Sequence, residues 1–136
     1  MKKVMVIAGE VSGDQHAARL VRDLRAARAD VEWFGIGGDA LRAAGVRTMV
    51  DARDMAVVGF FEVAARYPFF RDVFARMVDL LETEKPDALL LVDYPGFNLR
   101  LAEVAHELGV KVFYYISPQV WAWHKSRIPK MAQIID

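Results

Sequence analysis

The chain has 136 residues, 54% of them hydrophobic, which is enough for one domain with a proper core and short for two. Lys plus Arg and Asp plus Glu balance at 18 each, so no global charge or like-charge tail points to nucleic acid. The absence of Cys excludes a disulfide framework and a thiolate metal site, and fits the reducing cytoplasm. The basic start Met1-Lys2-Lys3 is followed by an apolar run that ends at Gly9-Glu10, too short for a secretory core; it reads as a first strand.

After that strand come Gly9-Glu10-Val11-Ser12-Gly13-Asp14 and then apolar residues at helical spacing, Ala17, Leu20, Val21, Leu24 and Ala27. Ser12 and Gln15 have capping-box spacing, which predicts a helix start near Gly13. The loop matches neither the GxGxxG dinucleotide pattern nor a P-loop, and Glu10 and Asp14 would repel a pyrophosphate. Two carboxylates suit a hydroxyl-rich ligand such as a sugar, with simple helix capping as the alternative. Val31 to Phe34 reads as a second strand, running into a turn at Gly35-Ile36-Gly37-Gly38, where the backbone either adopts positive φ or approaches something closely. A short helix from Asp39 to Ala44, stopped by Gly45, leads to a third strand over Val46 to Val50.

From Met55 to Phe74 the composition shifts, with Phe60, Phe61, Phe69, Phe70 and Phe74 among the chain's eight phenylalanines. Pro68 divides this stretch into two helices. The second is amphipathic, with Phe70, Val73, Phe74, Met77, Val78 and Leu81 on one stripe. The first, around Val57, Val58, Phe60 and Phe61, is apolar nearly all round and far too short to span a bilayer, so it is buried or meets a membrane surface. Glu62 inside it is either a surface carboxylate at a helix edge or one facing a crevice.

Leu89-Leu90-Leu91-Val92 reads as a strand buried on both faces, and Asp93 stands at its carboxyl end, where ligands of open α/β sheets collect. Capping of the next helix is the plainer role for Asp93. That helix runs from Phe97 to Leu108 with Gly109 closing it, and His106 lies on its polar side. Neither His16 nor His124 gives His106 metal-ligand spacing, so no metal is expected. A last strand, Val110 to Ile116, ends in Ser117-Pro118-Gln119-Val120-Trp121-Ala122-Trp123, where the indoles either stack on a sugar or plug the domain edge. Lys125, Arg127 and Lys130 then interleave with an apolar stripe that stops in mid-pattern at Asp136, an arrangement that calls for further chain or a second subunit. The alternation of elements predicts a single α/β domain over residues 1–136, a doubly wound, mostly parallel, Rossmann-like sheet.

Four motifs, Gly9 to Asp14, Gly35 to Gly38, Asp93 to Asn98 and Ser117 to Trp123, in this order resemble the N-terminal half of lipid-A-disaccharide synthase. The resemblance implies a GT-B glycosyltransferase of lipid A and lipopolysaccharide biosynthesis whose C-terminal UDP-sugar-binding domain is missing from this chain. Such an enzyme moves 2,3-diacylglucosamine from UDP-diacylglucosamine to diacylglucosamine 1-phosphate, with inversion and without a metal or other cofactor. It implies peripheral attachment to the inner face of the inner membrane, and a chain inactive without its missing domain or a partner subunit. By the same resemblance Asp93 is the general base, with Glu62 as the competing candidate. The substrate contacts are Glu10, Ser12, Gly13, Asp14, Gly37, Gly38, Glu62, Asn98, Ser117 and Trp121. Val57, Val58, Phe60, Phe61, Phe69 and Phe70 meet acyl chains or membrane. Val58 replaces a Met common in the family, and His124 stands where a more basic residue is expected. Two further readings remain open: a sugar-nucleotide enzyme of the UDP-N-acetylglucosamine 2-epimerase type, and a non-catalytic lipid- or sugar-binding domain on membranes. Fold alone does not choose among them.

Overall fold

In the computed structural model, which describes residues 2–28, 30–55 and 65–115, the apolar runs form one parallel sheet with helices on both faces. The elements in order are β1 (Lys2–Ala8), α1 (Val11–Ala27), β2 (Val31–Gly37), α2 (Asp39–Ala43), β3 (Arg47–Asp51), α3 (Ala52–Met55), α4 (Tyr67–Glu84), β4 (Ala88–Val92), α5 (Pro95–Glu107) and β5 (Lys111–Tyr115). Strand order is β3-β2-β1-β4-β5, every pair parallel. The chain therefore winds outward from β1 to β3, crosses back, and winds the other way through β4 and β5. Because right-handed crossovers running in opposite directions place their helices on opposite faces, α1 and α2 cover one side and α4 and α5 the other.

Alternate strand residues divide between the two layers. Met5, Ile7, Leu89, Leu91 and Val112 face Val73, Met77 and Leu81 of α4 and Leu101, Ala102 and Ala105 of α5. Val6, Ala8, Leu90 and Val92 face Ala17, Ala18 and Val21 of α1 and Leu41 of α2. A strand buried on both faces has no polar alternation, which is why β1 and β4 read as continuous apolar runs. The α4 stripe read from the sequence packs as expected, with Phe70, Phe74 and Val78 half-buried against the first layer. Pro68 sits in the first turn of α4, where a missing N-H is harmless.

Of the boundaries that differ from expectation, two bear on the first two motifs. Helix α1 starts at Val11, its first turn closed by the Asp14 N-H donating to the Glu10 carbonyl at 2.9 Å, and no side chain caps it. Ser12 thus lies inside the first turn instead of capping it. The glycine run is not a turn either, since β2 continues to Gly37. Both alternatives read from it hold at Gly35, where φ is +144° and a Cβ would come within 1.9 Å of the Val6 carbonyl oxygen. The register of β2 on β3 slips between Gly35 and Ile36.

At the end of β3 the Asp51 carboxylate accepts from the Arg53 backbone N-H at 2.8 Å and from its guanidinium at 3.1 Å, with Arg42 Nη2 also at 3.1 Å. These bonds, those of Arg53 foremost, lower its pKa to about 2. A depressed carboxylate contributes stability above its unfolded pKa and loses it as pH falls through the folded value. The Asp51 side chain keeps 20% exposure and its guanidinium partners are open to solvent, so the contribution is discounted to about 1 kcal/mol. Asp51→Asn is expected to lower stability by that amount at pH 7, and the gap to close between about pH 4 and pH 2. Urea unfolding across this pH range checks both.

Candidate functional site

The strand order reverses between β1 and β4, which pair up to Ala8 opposite Val92. Beyond that pair the two chains part, Gly9 and Glu10 leading into α1 while Asp93 and Tyr94 lead into α5. Such a switch point at the carboxyl ends of the strands is the crevice where doubly wound sheets bind ligands.

The β4 side of the crevice is tightly held. Asp93 and Tyr94 both adopt left-handed backbone, with φ of 49° and 50°. Neither is glycine, so the conformation needs support from its surroundings. The Asp93 N-H donates to the Tyr115 carbonyl at 2.9 Å. Its carbonyl oxygen accepts from Tyr114 Oη at 2.7 Å and from Asn98 Nδ2 at 2.9 Å. Tyr94 Oη donates to the Met55 carbonyl at 2.7 Å, tying the loop to the end of α3. The Tyr94 ring lies against Gly9, where an added Cβ would meet it at 2.7 Å. Asp93 as a whole is 9% exposed.

Across the crevice, Glu10 stays open to solvent, but partial loss of its hydration and then the Asp93 charge raise its carboxyl above the usual Glu value. Burial, followed by the Glu10 charge, likewise raises the Tyr94 phenol, against a smaller opposing effect of Arg66. Arg66 in turn lies over the rings of Phe69 at 4.5 Å and Phe70 at 5.5 Å. Tyr94, Phe97 and Phe74 form a chain of edge-to-face rings leading from the crevice to α4. Glu10 and Asp93, each charged within reach of the other, thus stand at the end of an aromatic row that runs from Tyr94 to α4.

Several expected contacts are placed differently. Asp14 is 4% exposed and its carboxylate is committed to backbone: its Oδ1 accepts from the N-H groups of Gly38 at 2.7 Å and Leu41 at 3.0 Å, and its Oδ2 from that of Ala40 at 3.0 Å. It caps α2 from α1, a role no local spacing reveals, because 24 residues separate it from Gly38. Gly37 and Gly38 make room for that junction, since a Cβ on Gly38 would stand 2.9 Å from Asp14 Oδ2 and one on Gly37 2.5 Å from Leu41 Cδ1. Asn98 is fully buried and gives its amide N-H to backbone, with two longer approaches of 3.4 Å to the Ile7 and Val92 carbonyls, so it does not reach out to a sugar. Gly13 is buried against Val92, and Ser12 is exposed on the first turn of α1. Val57, Val58, Phe60, Phe61, Glu62, Ser117 and Trp121 lie outside the described residues.

Beside the crevice, a cavity of about 240 Å³ lies between α1, α2 and α3, with Val11, Gln15, Asp39 and Arg53 among its walls. Among the described residues no three His, Asp or Glu side chains gather closely enough to hold a metal ion. The motifs do not single out Tyr94 and Tyr114 as functional. Period-2 alternation on β5 does place Tyr114 inward with Val112, and an inward tyrosine needs a partner for its hydroxyl.

Fold and crevice together define a doubly wound α/β domain of the Rossmann-like kind with two acidic residues, Glu10 and Asp93, at its switch point. The sequence comparisons make the class specific. Residues 4–136 match the family model described as lipid-A-disaccharide synthetase, and the chain belongs to that family. It is 50% identical over 135 residues to the lipid-A-disaccharide synthase of Trichlorobacter lovleyi and 49% identical over 135 residues to that of Geobacter metallireducens. It is also 50% identical over 135 residues to lipid-A-disaccharide synthase 1 of Legionella pneumophila subsp. pneumophila. These matches cover 98% to 99% of the chain but 35% of each relative, so the chain spans about a third of their length.

Proposed function

We propose that this chain is the acceptor-side portion of a glycosyltransferase that moves 2,3-diacylglucosamine from UDP-diacylglucosamine to diacylglucosamine 1-phosphate, forming lipid A disaccharide 1-phosphate with inversion. The observation that carries the reading is Asp93, a carboxylate held by a clamped backbone at the switch point of a family member. An alcohol must lose its proton as it attacks the sugar carbon, and a carboxylate within reach accepts it at neutral pH. Asp93 is the general base in this reading. Glu10 is the second crevice carboxyl, and its raised pKa suits a group that shares a hydroxyl hydrogen bond with Asp93. The departing UDP is held by the remainder of the longer protein.

The test is the complete gene product that contains these residues, supplied with both lipid substrates. Disaccharide 1-phosphate and free UDP in equal amounts are expected. A free epimerised sugar, or lipid binding without turnover, overturns the reading.

The acyl chains of such substrates give the aromatic start of α4 its use. Tyr67 is 59% exposed there, and Arg66 and Arg71 flank Phe69 and Phe70. No helix among the described residues is long and apolar enough to cross a membrane. In this reading the protein works on the inner face of the inner membrane, with this end of α4 against anionic headgroups. Since a basic side chain near an anionic surface contributes about 1 kcal/mol, Arg71→Ala is expected to weaken partition onto phosphatidylglycerol-containing vesicles about fivefold at low salt. Co-sedimentation reads this directly, and unchanged partition removes Arg71 from the contact.

A further inference from the structure

We infer that Tyr114 and Asn98 are positioning residues for the reaction, acting through the backbone of Asp93; this rests on the reading of Asp93 as the base. The observations are geometric. One carbonyl oxygen, that of Asp93, accepts two side-chain donors from different elements, Tyr114 Oη of β5 at 2.7 Å and Asn98 Nδ2 of α5 at 2.9 Å. The N-H of the same residue is used as well, by the Tyr115 carbonyl at 2.9 Å. A peptide carbonyl has two acceptor sites, so the main-chain hydrogen-bonding groups of Asp93 are fully committed.

What this clamp holds is an uncommon backbone. Two successive non-glycine residues in the left-handed region are strained, and they persist only when neighbours over-determine them. Asn98 lies in the first turns of α5, and its buried amide reaches back across the start of that helix to the Asp93 carbonyl. The left-handed pair turns the chain sharply between β4 and α5 and fixes where the Asp93 Cβ leaves the backbone. Without the two donors the strained pair is free to relax toward ordinary extended backbone, and the carboxylate moves with it. Near-attack geometry is lost over displacements of about 1 Å, which cost up to about 10²-fold in rate.

The experiment uses the complete gene product and the disaccharide-forming assay, with four proteins: wild type, Tyr114→Phe, Asp93→Asn, and the double variant. Tyr114→Phe keeps the ring in its packing and removes only the donor. The expected result is a fall in kcat of about tenfold with KM for the acceptor unchanged, since no substrate contact is removed. In the Asp93→Asn background the same substitution is expected to have no further effect on residual single-turnover rate, because a residue acting through the carboxylate has nothing left to aim. Asn98→Ala is expected to behave likewise; if it fails to fold, Tyr114→Phe still decides. Wild-type kcat in Tyr114→Phe, or an equal loss in both backgrounds, overturns the inference and leaves the clamp a purely structural device. Full turnover by Asp93→Asn removes the base assignment itself, an outcome distinct from either.

Discussion

Asp93→Asn in the complete gene product is expected to lower kcat by about 10² to 10⁴ while the domain stays folded. Asparagine is the informative replacement because it nearly matches the shape of aspartate and, with aspartate, tolerates left-handed backbone better than alanine does. The clamp on the main chain of residue 93 does not involve the carboxylate oxygens, so the Tyr114 and Asn98 bonds should survive. What disappears is the capacity to take a proton. KM for the acceptor should change little if Asp93 acts mainly in the transition state. The neighbouring Glu10 supplies a second readout. Its carboxyl is raised first by desolvation and then by the Asp93 charge, so removing that charge should bring it part of the way back toward the ordinary Glu value. Carbon-detected titration of Glu10 in the two proteins reads this without any substrate. A variant with intact turnover would return the base role to the competing candidate, Glu62.

The parallel sheet is legible in the sequence because its strands are buried on both faces, so that Val4 to Ala8 and Leu89 to Val92 stand out as short unbroken apolar runs. The helices between them show their stripes for the same reason. The Pro95-Gly96 punctuation after Asp93 is enough to place that carboxylate at a strand's carboxyl end. What cannot be read is anything set by contact between distant segments. Ser12 has the local spacing of a cap, yet α1 begins earlier with Glu10 in extended backbone. Asn98 has the sequence position of a polar side chain at a helix start, available to ligand, and its burial beneath the Asp93 loop follows from the docking of α5 on β4. The glycines of the second motif suggest a turn, whereas Gly35 admits the Val6 carbonyl of a neighbouring strand. The acidic residues of the first motif look alike, and the fold separates them: Glu10 faces the crevice, and Asp14 faces the next helix.

That separation leads to the second large effect, which falls on stability. Asp14→Ala is expected to destabilise the domain by about 3 to 5 kcal/mol, because the N-H groups of Gly38, Ala40 and Leu41 all lose their acceptor. Each unsatisfied buried donor costs about 1 to 3 kcal/mol, and the cavity beside Asp14 admits water that can restore part of the loss. The three donors belong to the start of α2, where no side chain of its own segment caps the helix, so the carboxylate also opposes the partial positive charge gathered there. Asp14→Asn keeps one acceptor oxygen and replaces the other by a donor. Its expected cost is about 1 to 2 kcal/mol, with the Ala40 N-H the group most readily left unpaired, since it is alone on Oδ2. Urea unfolding midpoints at constant m-value give both numbers. The pair of variants also separates a structural from a ligand-binding role: a sugar contact would raise KM at either substitution with little change in midpoint. The capping geometry requires the reverse, a large fall in midpoint for Asp14→Ala and a substrate KM for Asp14→Asn close to that of the unaltered protein.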